Sequence, residues 1–130
     1  ELPHGTVVQS CNRYGASEWT VVAKIETGLA DRENGERKAY FLKCAEYEQG
    51  RVMLEGEFDS MKALHLAAPN LVPKPHAWGQ LNVSEPETYF FLCDFIEFTD
   101  QNPDPVQLCA KLVALHRSSK SPTDMFGFHI

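Results

Sequence analysis

The stretch Tyr89-Phe90-Phe91-Leu92-Cys93-Asp94-Phe95-Ile96 is apolar on both faces of an extended chain. A strand with one wet face alternates apolar and polar residues. This one does not, so it belongs in the middle of a structure, with packing on both sides. Neighbouring strands are therefore required, and the chain supplies them. Residues 19–25 alternate, with Trp19, Val21, Ala23 and Ile25 on one face and Thr20, Val22 and Lys24 on the other. Residues 39–44 form a second, aromatic-rich strand. The polar segment 28–37 between them holds Asn34-Gly35, a hairpin-type dipeptide, so these two strands are expected to pair antiparallel. Thr6-Val7-Val8, within residues 5–10, predicts a weak strand, and residues 76–83 predict another. Residues 72–75 (Val-Pro-Lys-Pro) are extended, because a residue before proline is pushed out of the α region.

Two segments read as helices. In residues 51–68, Leu54, Phe58, Met61 and His65 form one ridge and Glu57, Met61, Leu64 and Ala68 the adjacent one, until Pro69-Asn70 ends the run. Asp104-Pro105 pairs an N-cap residue with proline at the first helical position, predicting a helix to about Ser118 with Leu108, Leu112 and Leu115 on one face. The order is β-β-β-α-β-β, then a polar linker and a helix. This is an α+β chain whose first helix must cover one sheet face.

Composition excludes several classes. Of 130 residues, 43% are hydrophobic and 23% charged, which is ordinary for a folded domain and too apolar for a disordered one. No apolar run approaches the ~20 residues of a membrane span. The net charge is −6 and both halves are acidic, which argues against nucleic acid or an anionic membrane as a partner. Cys11, Cys44, Cys93 and Cys109 fall at no metal-knuckle spacing. They read as reduced thiols, Cys44 and Cys93 in the core, and the expected location is cytoplasmic. Both ends are expected to be cut ends. The chain starts at Glu1 without Met and closes on the apolar segment 125–130, which is expected either to pack against something further or to dock on its own domain.

Chemistry can sit where charges meet apolar surroundings. Lys43 lies near the end of an apolar strand, and Glu57 on a helix ridge with Met61 and Leu64. Each is costly to desolvate alone, and they can offset that cost by meeting. Periodicity equally allows Lys43 to reach solvent and Glu57 to sit on the helix boundary. Glu55 is a second carboxylate candidate on a different face.

Strand, lysine, helix, glutamate, apolar strand and short linker, in that order, resemble the N-terminal lobe of protein-kinase-like folds. Phe41-Leu42-Lys43, Met53-Leu54-Glu55-Gly56-Glu57-Phe58, Leu64, Val72-Pro73-Lys74-Pro75, Phe91-Leu92-Cys93-Asp94-Phe95, Leu112-Val113-Ala114-Leu115-His116 and Phe126-Gly127-Phe128-His129 resemble the fructosamine kinase (ketosamine-3-kinase) family, in its order and roughly at its spacing. The likeness covers about residues 15–130, whereas the family's whole chain is more than twice as long. It implies a kinase-like N-terminal lobe: a five-stranded antiparallel sheet with one packed helix, then a hinge and a further helix. Residues 1–96 would be the ATP-binding lobe, and residues 97–130 the hinge, helix and start of an absent C-terminal lobe.

The resemblance also implies roles. Lys43 would contact ATP phosphates and Glu57 would orient it, with Met61 behind the pair. Cys93 would stand at the back of the adenine pocket and Phe41 would line it. The backbone of Asp94 and Ile96, around Phe95, would hydrogen-bond the adenine edge. Gly15, Ala16 and Ser17, in the turn from Tyr14, would lie over the phosphates. Phe41, Cys93 and Phe95 read equally as plain core. No GxGxxG is present, and none of His4, His65, His76, His116 and His129 is followed by Gly-Asp, so the family's catalytic loop and Mg²⁺ ligands are absent from these residues. His116 is expected to be a packed histidine. The implied activity of the whole enzyme is ATP- and Mg²⁺-dependent phosphorylation of the 3-hydroxyl of ketosamines on glycated lysines, which frees the amine. The implied partners are ATP, a glycated protein or small ketosamine, and the missing lobe, with a homodimer left open. Two other readings stand beside it: an aminoglycoside or choline kinase relative, and a non-catalytic α+β domain. The latter predicts Lys43 and Glu57 far apart and no cleft beside Asp94 and Ile96.

Overall fold

The computed structural model describes residues 2, 4–15, 17–30, 37–120 and 124. Ala16, the Asn34-Gly35 dipeptide and the Phe126-Gly127-Phe128 segment lie outside the described residues. Five strands and two helices follow in the order β1 (Val8–Arg13), β2 (Val21–Ala30), β3 (Arg37–Glu46), α1 (Tyr47–Ala67), β4 (Pro75–Gln80), β5 (Thr88–Asp94) and α2 (Pro105–Ser118). All neighbouring strands pair antiparallel, in the order β1-β2-β3-β5-β4. This is the α+β arrangement of a kinase-like N-terminal lobe.

β5 occupies the interior position that its two apolar faces require. On the α1 side, Phe91 and Cys93 are 1% and 3% exposed and pack with Ala45 and with Leu54 of α1, flanked by Phe41, Phe58, Met61 and Tyr89. On the other side, Leu92 packs with Ile25 and Tyr40, flanked by Leu42 and Phe90. Residues paired across strands share a face. The pairings Val22↔Lys43, Lys43↔Phe91, Lys24↔Phe41 and Phe41↔Cys93 therefore put Val22, Lys24, Phe41, Lys43, Phe91 and Cys93 on the helix-facing side.

Several boundaries differ from the sequence expectation. The first strand is Val8–Arg13, later than residues 5–10. It is an edge strand exposed on both faces, so pairing with β2 sets its extent and no hydrophobic period marks it. β2 starts at Val21, which leaves Trp19 in the preceding turn, 80% exposed. One face of β2 buries Ala23, Ile25 and Thr27, the last held by a hydrogen bond to the Lys38 carbonyl (2.8 Å), and Val22 is buried on the other. β2 and β3 also reach into the segment read as loop, through Gly28 and back to Arg37. β4 ends at Gln80 rather than at residue 83, and β5 at Asp94 rather than at Ile96.

α1 begins at Tyr47, four residues early, because no loop separates it from β3. Tyr47 makes the corner with φ 60, and its N–H donates to the Glu87 carbonyl (2.8 Å). Gly50 then lies directly on the strand: a Cβ there would fall 2.7 Å from the Ala45 carbonyl carbon and 2.9 Å from its oxygen. Helix and sheet thus meet backbone to backbone, and only glycine permits it.

α2 starts where Asp104-Pro105 predicts, with Asp104 Oδ1 accepting from the Gln107 N–H (2.9 Å). None of its residues is buried, and Leu108 and Leu112 stay partly exposed. A groove of about 270 Å³ separates Lys111, Ala114, Leu115 and Ser118 from the stretch Ala67 to Leu71. Among the described residues His116 is exposed rather than packed. No described helix is long and apolar enough to cross a membrane.

Candidate functional site

Two elements bring the candidate charges together. β3 carries Lys43 on its helix-facing side, and α1 places Glu57 one turn beyond Leu54, its fully buried anchor. Lys43 Nζ donates to Glu57 Oε1 at 2.6 Å and Oε2 at 2.9 Å. The side chains are 24% and 28% exposed, so the pair sits at the rim of the core with one edge open, and is less buried than a fully interior pair. Glu55 points elsewhere and binds Arg51 (2.9 Å), which also holds Glu48. This settles which helix carboxylate meets the lysine.

Beside the pair lies a slot of about 180 Å³, lined by Tyr14, Phe41, Glu57, Met61, Pro73, Phe91, Cys93, Asp94, Phe95, Ile96 and Phe98. Its walls are mostly aromatic or aliphatic, with a carboxylate–ammonium pair at its edge. Two carboxylates, Glu57 and Asp94, are part of its lining, and Lys43 is not. Phe41, Glu57, Cys93, Asp94, Phe95 and Ile96 all converge on it, and Lys43 reaches it through Glu57. Burial pushes the Cys93 thiol up to about 12, with the nearby Asp94 and Glu57 charges adding to the shift. Cys93 is therefore a neutral wall group and not a nucleophile. Burial likewise raises the Cys44 thiol, and all four cysteines are free.

The turn is built differently from a glycine-rich loop. Gly15 takes a left-handed φ of 76. Ser17 Oγ accepts from the Thr20 hydroxyl (2.9 Å) and, at longer range, from the backbone N–H groups of Thr20 and Trp19 (3.3 and 3.4 Å). The Ser17 hydroxyl thus holds the turn together. Trp19 leans over the start of α1, where it borders a recess with Ala45, Gln49, Gly50 and Met53.

Sequence reasoning missed the side chains that hold the linker. Asp94 ends β5, and its carboxylate Oδ1 accepts from His76 Nε2 at 2.6 Å, with Lys38 Nζ at 3.6 Å. His76 packs edge-on to Tyr40 (5.1 Å between ring centres). The Asp94 N–H donates to the Lys74 carbonyl (2.9 Å), and the Phe95 N–H to the Ala39 carbonyl (3.2 Å). Pairing stops there, so the Ile96 backbone lies past the end of the sheet. The Pro75↔Cys93 pairing, with its bulge before Ala77, sets His76 beside Asp94, and no sequence spacing reveals that register. Burial raises the Asp94 carboxyl, but the His76 hydrogen bond and the His76 and Lys38 charges outweigh it and leave it below the usual carboxylate range. A carboxylate lowered on folding adds stability above its unfolded pKa and loses it as pH falls through the folded one. Asp94→Asn is therefore expected to be less stable than wild type at pH 7. The gap between their melting temperatures should narrow as pH falls from about 5 through the usual carboxylate range and below it. A constant gap across that range refutes the assignment.

The non-catalytic reading required Lys43 and Glu57 apart and no cleft beside Asp94 and Ile96; neither condition is met. Among the described residues no group of three His, Cys, Asp or Glu comes together as a metal site. No curated protein and no solved structure gives a significant match to the chain. One family model does match, described as fructosamine kinase, and it covers residues 8–130. It begins with the first residue of β1 and takes in the lysine strand, α1, the linker and α2, so that every element of the fold falls inside it: the chain belongs to the fructosamine kinase family.

Proposed function

We propose that these residues form the nucleotide-binding lobe of an enzyme that phosphorylates the 3-hydroxyl of ketosamines, fructosamine or ribulosamine adducts on protein lysines, as a deglycation step. Family membership gives the general class, a kinase-type phosphotransferase using ATP and Mg²⁺. The observation that carries the finer reading is the Lys43–Glu57 pair at the edge of the aromatic slot. An ammonium has three hydrogens. Two point to the Glu57 oxygens, which leaves a third for a phosphate oxygen. Held by both Glu57 oxygens, the long lysine side chain has already lost part of the rotamer freedom that binding would otherwise cost.

The base would occupy the slot, with Phe41 and Cys93 at its walls and the backbone of Asp94 and Ile96 at its edge. The Asp94 N–H is committed to Lys74, so Asp94 would contribute its carbonyl. The turn at Gly15, Ala16 and Ser17 would lie over the phosphates. In this reading residues 1–96 are the lobe, and residues 97–130 the hinge and the start of a second lobe. That second lobe would supply the base, the Mg²⁺ ligands and the acceptor site, since phosphoryl transfer needs acidic groups that are not gathered among the described residues. Free thiols support a reducing, cytoplasmic setting.

The test is a phosphate-transfer assay with labelled ATP on the full-length polypeptide, offering fructosyl-lysine, ribulosyl-lysine, an aminoglycoside and choline. Transfer to the ketosamines alone is expected, and none with residues 1–130 by themselves. Transfer only to the aminoglycoside or choline, or turnover by the 130 residues, overturns the reading.

A further inference from the structure

The furrow between β3 and α1 continues past the Lys43–Glu57 pair. On the helix-facing side of β3, Phe41, Lys43 and Ala45 follow at every second residue, and on α1 Met61, Glu57 and Met53 follow at every fourth. Phe41 and Met61 line the slot, Lys43 and Glu57 form the ion pair, and Ala45 and Met53 line the recess bordered by Trp19. The slot thus lies at one end, the ammonium in the middle and a second hollow, also of about 180 Å³, at the other end. Two residues of strand span ~7 Å, so the hollow opens about that far beyond the ammonium.

The hollow exists because Ala45 and Gly50 bring strand and helix together with almost no side chain between them. Trp19, 80% exposed, and Met53 give it apolar surface, and Glu46 and Gln49 complete its lining. Glu46 is exposed and makes no ion pair among the described residues. The two cations that flank it in sequence are already taken, Lys43 by Glu57 and Arg51 by Glu48 and Glu55. An open indole with an unneutralised carboxylate and a thioether nearby suits a cation on an alkyl stem. The ring face and the carboxylate attract the charge, and Met53 covers methylenes. Neither the slot nor the turn over the phosphates uses these side chains.

Resting on the function proposed above, we propose that this hollow docks a cationic side chain, arginine or lysine, carried by the glycated protein close to its modified lysine. The sugar hydroxyl has to meet the phosphate held at the ammonium, which stops the sugar short of the hollow. What enters the hollow therefore comes from a neighbouring position of the same polypeptide. In an extended chain, residues two apart point the same way and stand ~7 Å from each other, the same step as from Lys43 to Ala45. The net charge of −6 favours a basic partner over an acidic one.

The experiment measures steady-state kinetics of the full-length polypeptide on free fructosyl-lysine and on two peptides. Each peptide carries one fructosyl-lysine, flanked two residues away on both sides by arginine in one and by alanine in the other. Wild type is expected to show a KM about three- to tenfold lower for the arginine peptide. Trp19→Ala should abolish that difference and Glu46→Gln should shrink it. In both variants KM for ATP, and kcat and KM for free fructosyl-lysine, should stay unmoved. Equal KM values for the two peptides in wild type, or a preference that survives Trp19→Ala, would overturn the docking site. An equal loss on free fructosyl-lysine in Trp19→Ala would overturn it too, because Trp19 would then hold the reacting sugar. If wild type phosphorylates none of the three ketosamines, the function proposed above falls, and the docking site with it.

Discussion

Replacing Lys43 by methionine is expected to lower kcat/KM of the full-length enzyme by about a hundredfold or more while leaving the fold in place. The magnitude is that of removing one donor aimed at charge that develops during transfer. The fold survives because the pair is open along one edge, and methionine keeps most of the apolar stem. Glu57→Ala should lose less, since the ammonium remains but its position is released. The double variant should be no worse than Lys43→Met alone, because the two act as one unit. Circular dichroism and a melting curve check the fold, and initial rates against ATP check the role. Full activity in Lys43→Met refutes it.

Truncating Leu54 to alanine is expected to cost about 2–5 kcal/mol, a fall in melting temperature on the order of 10 °C. Leu54 is fully buried among Ala45, Phe91 and Cys93, and it is the side chain by which α1 grips the sheet. Leu66 on the same helix is 78% exposed, and Leu66→Ala should stay within about 0.5 kcal/mol. Glu57 lies one turn beyond Leu54, so a loosened α1 should also weaken ATP binding. Equal melting temperatures for the two alanine variants would contradict this account of the core.

Much of this was legible in the sequence, for reasons that differ from residue to residue. β5 could be placed because eight consecutive residues left no wet face, and its burial on both sides follows. The start of α2 was readable because an aspartate cap and a proline are local chemistry. Lys43 and Glu57 could each have reached solvent on periodicity alone, and the segment order shared with kinase-like lobes is what paired them and turned the choice away from Glu55. What stayed hidden depends on pairing register or on close approach. Trp19 continued an apparent alternation into what is a turn, since period two carries no information about where pairing begins. β1 had no hydrophobic period because neither of its faces is covered. His76 met Asp94, and Tyr14 met Phe95, only through the fold of the sheet and the course of the linker.

The seat of α1 on Ala45, where glycine leaves no side chain between helix and strand, bears on how such an enzyme can be controlled. With Tyr47 turning the corner directly out of β3, the helix has a fulcrum and no slack. Any outward swing of α1 therefore pivots at Gly50, within its first turn, and not on a flexible loop.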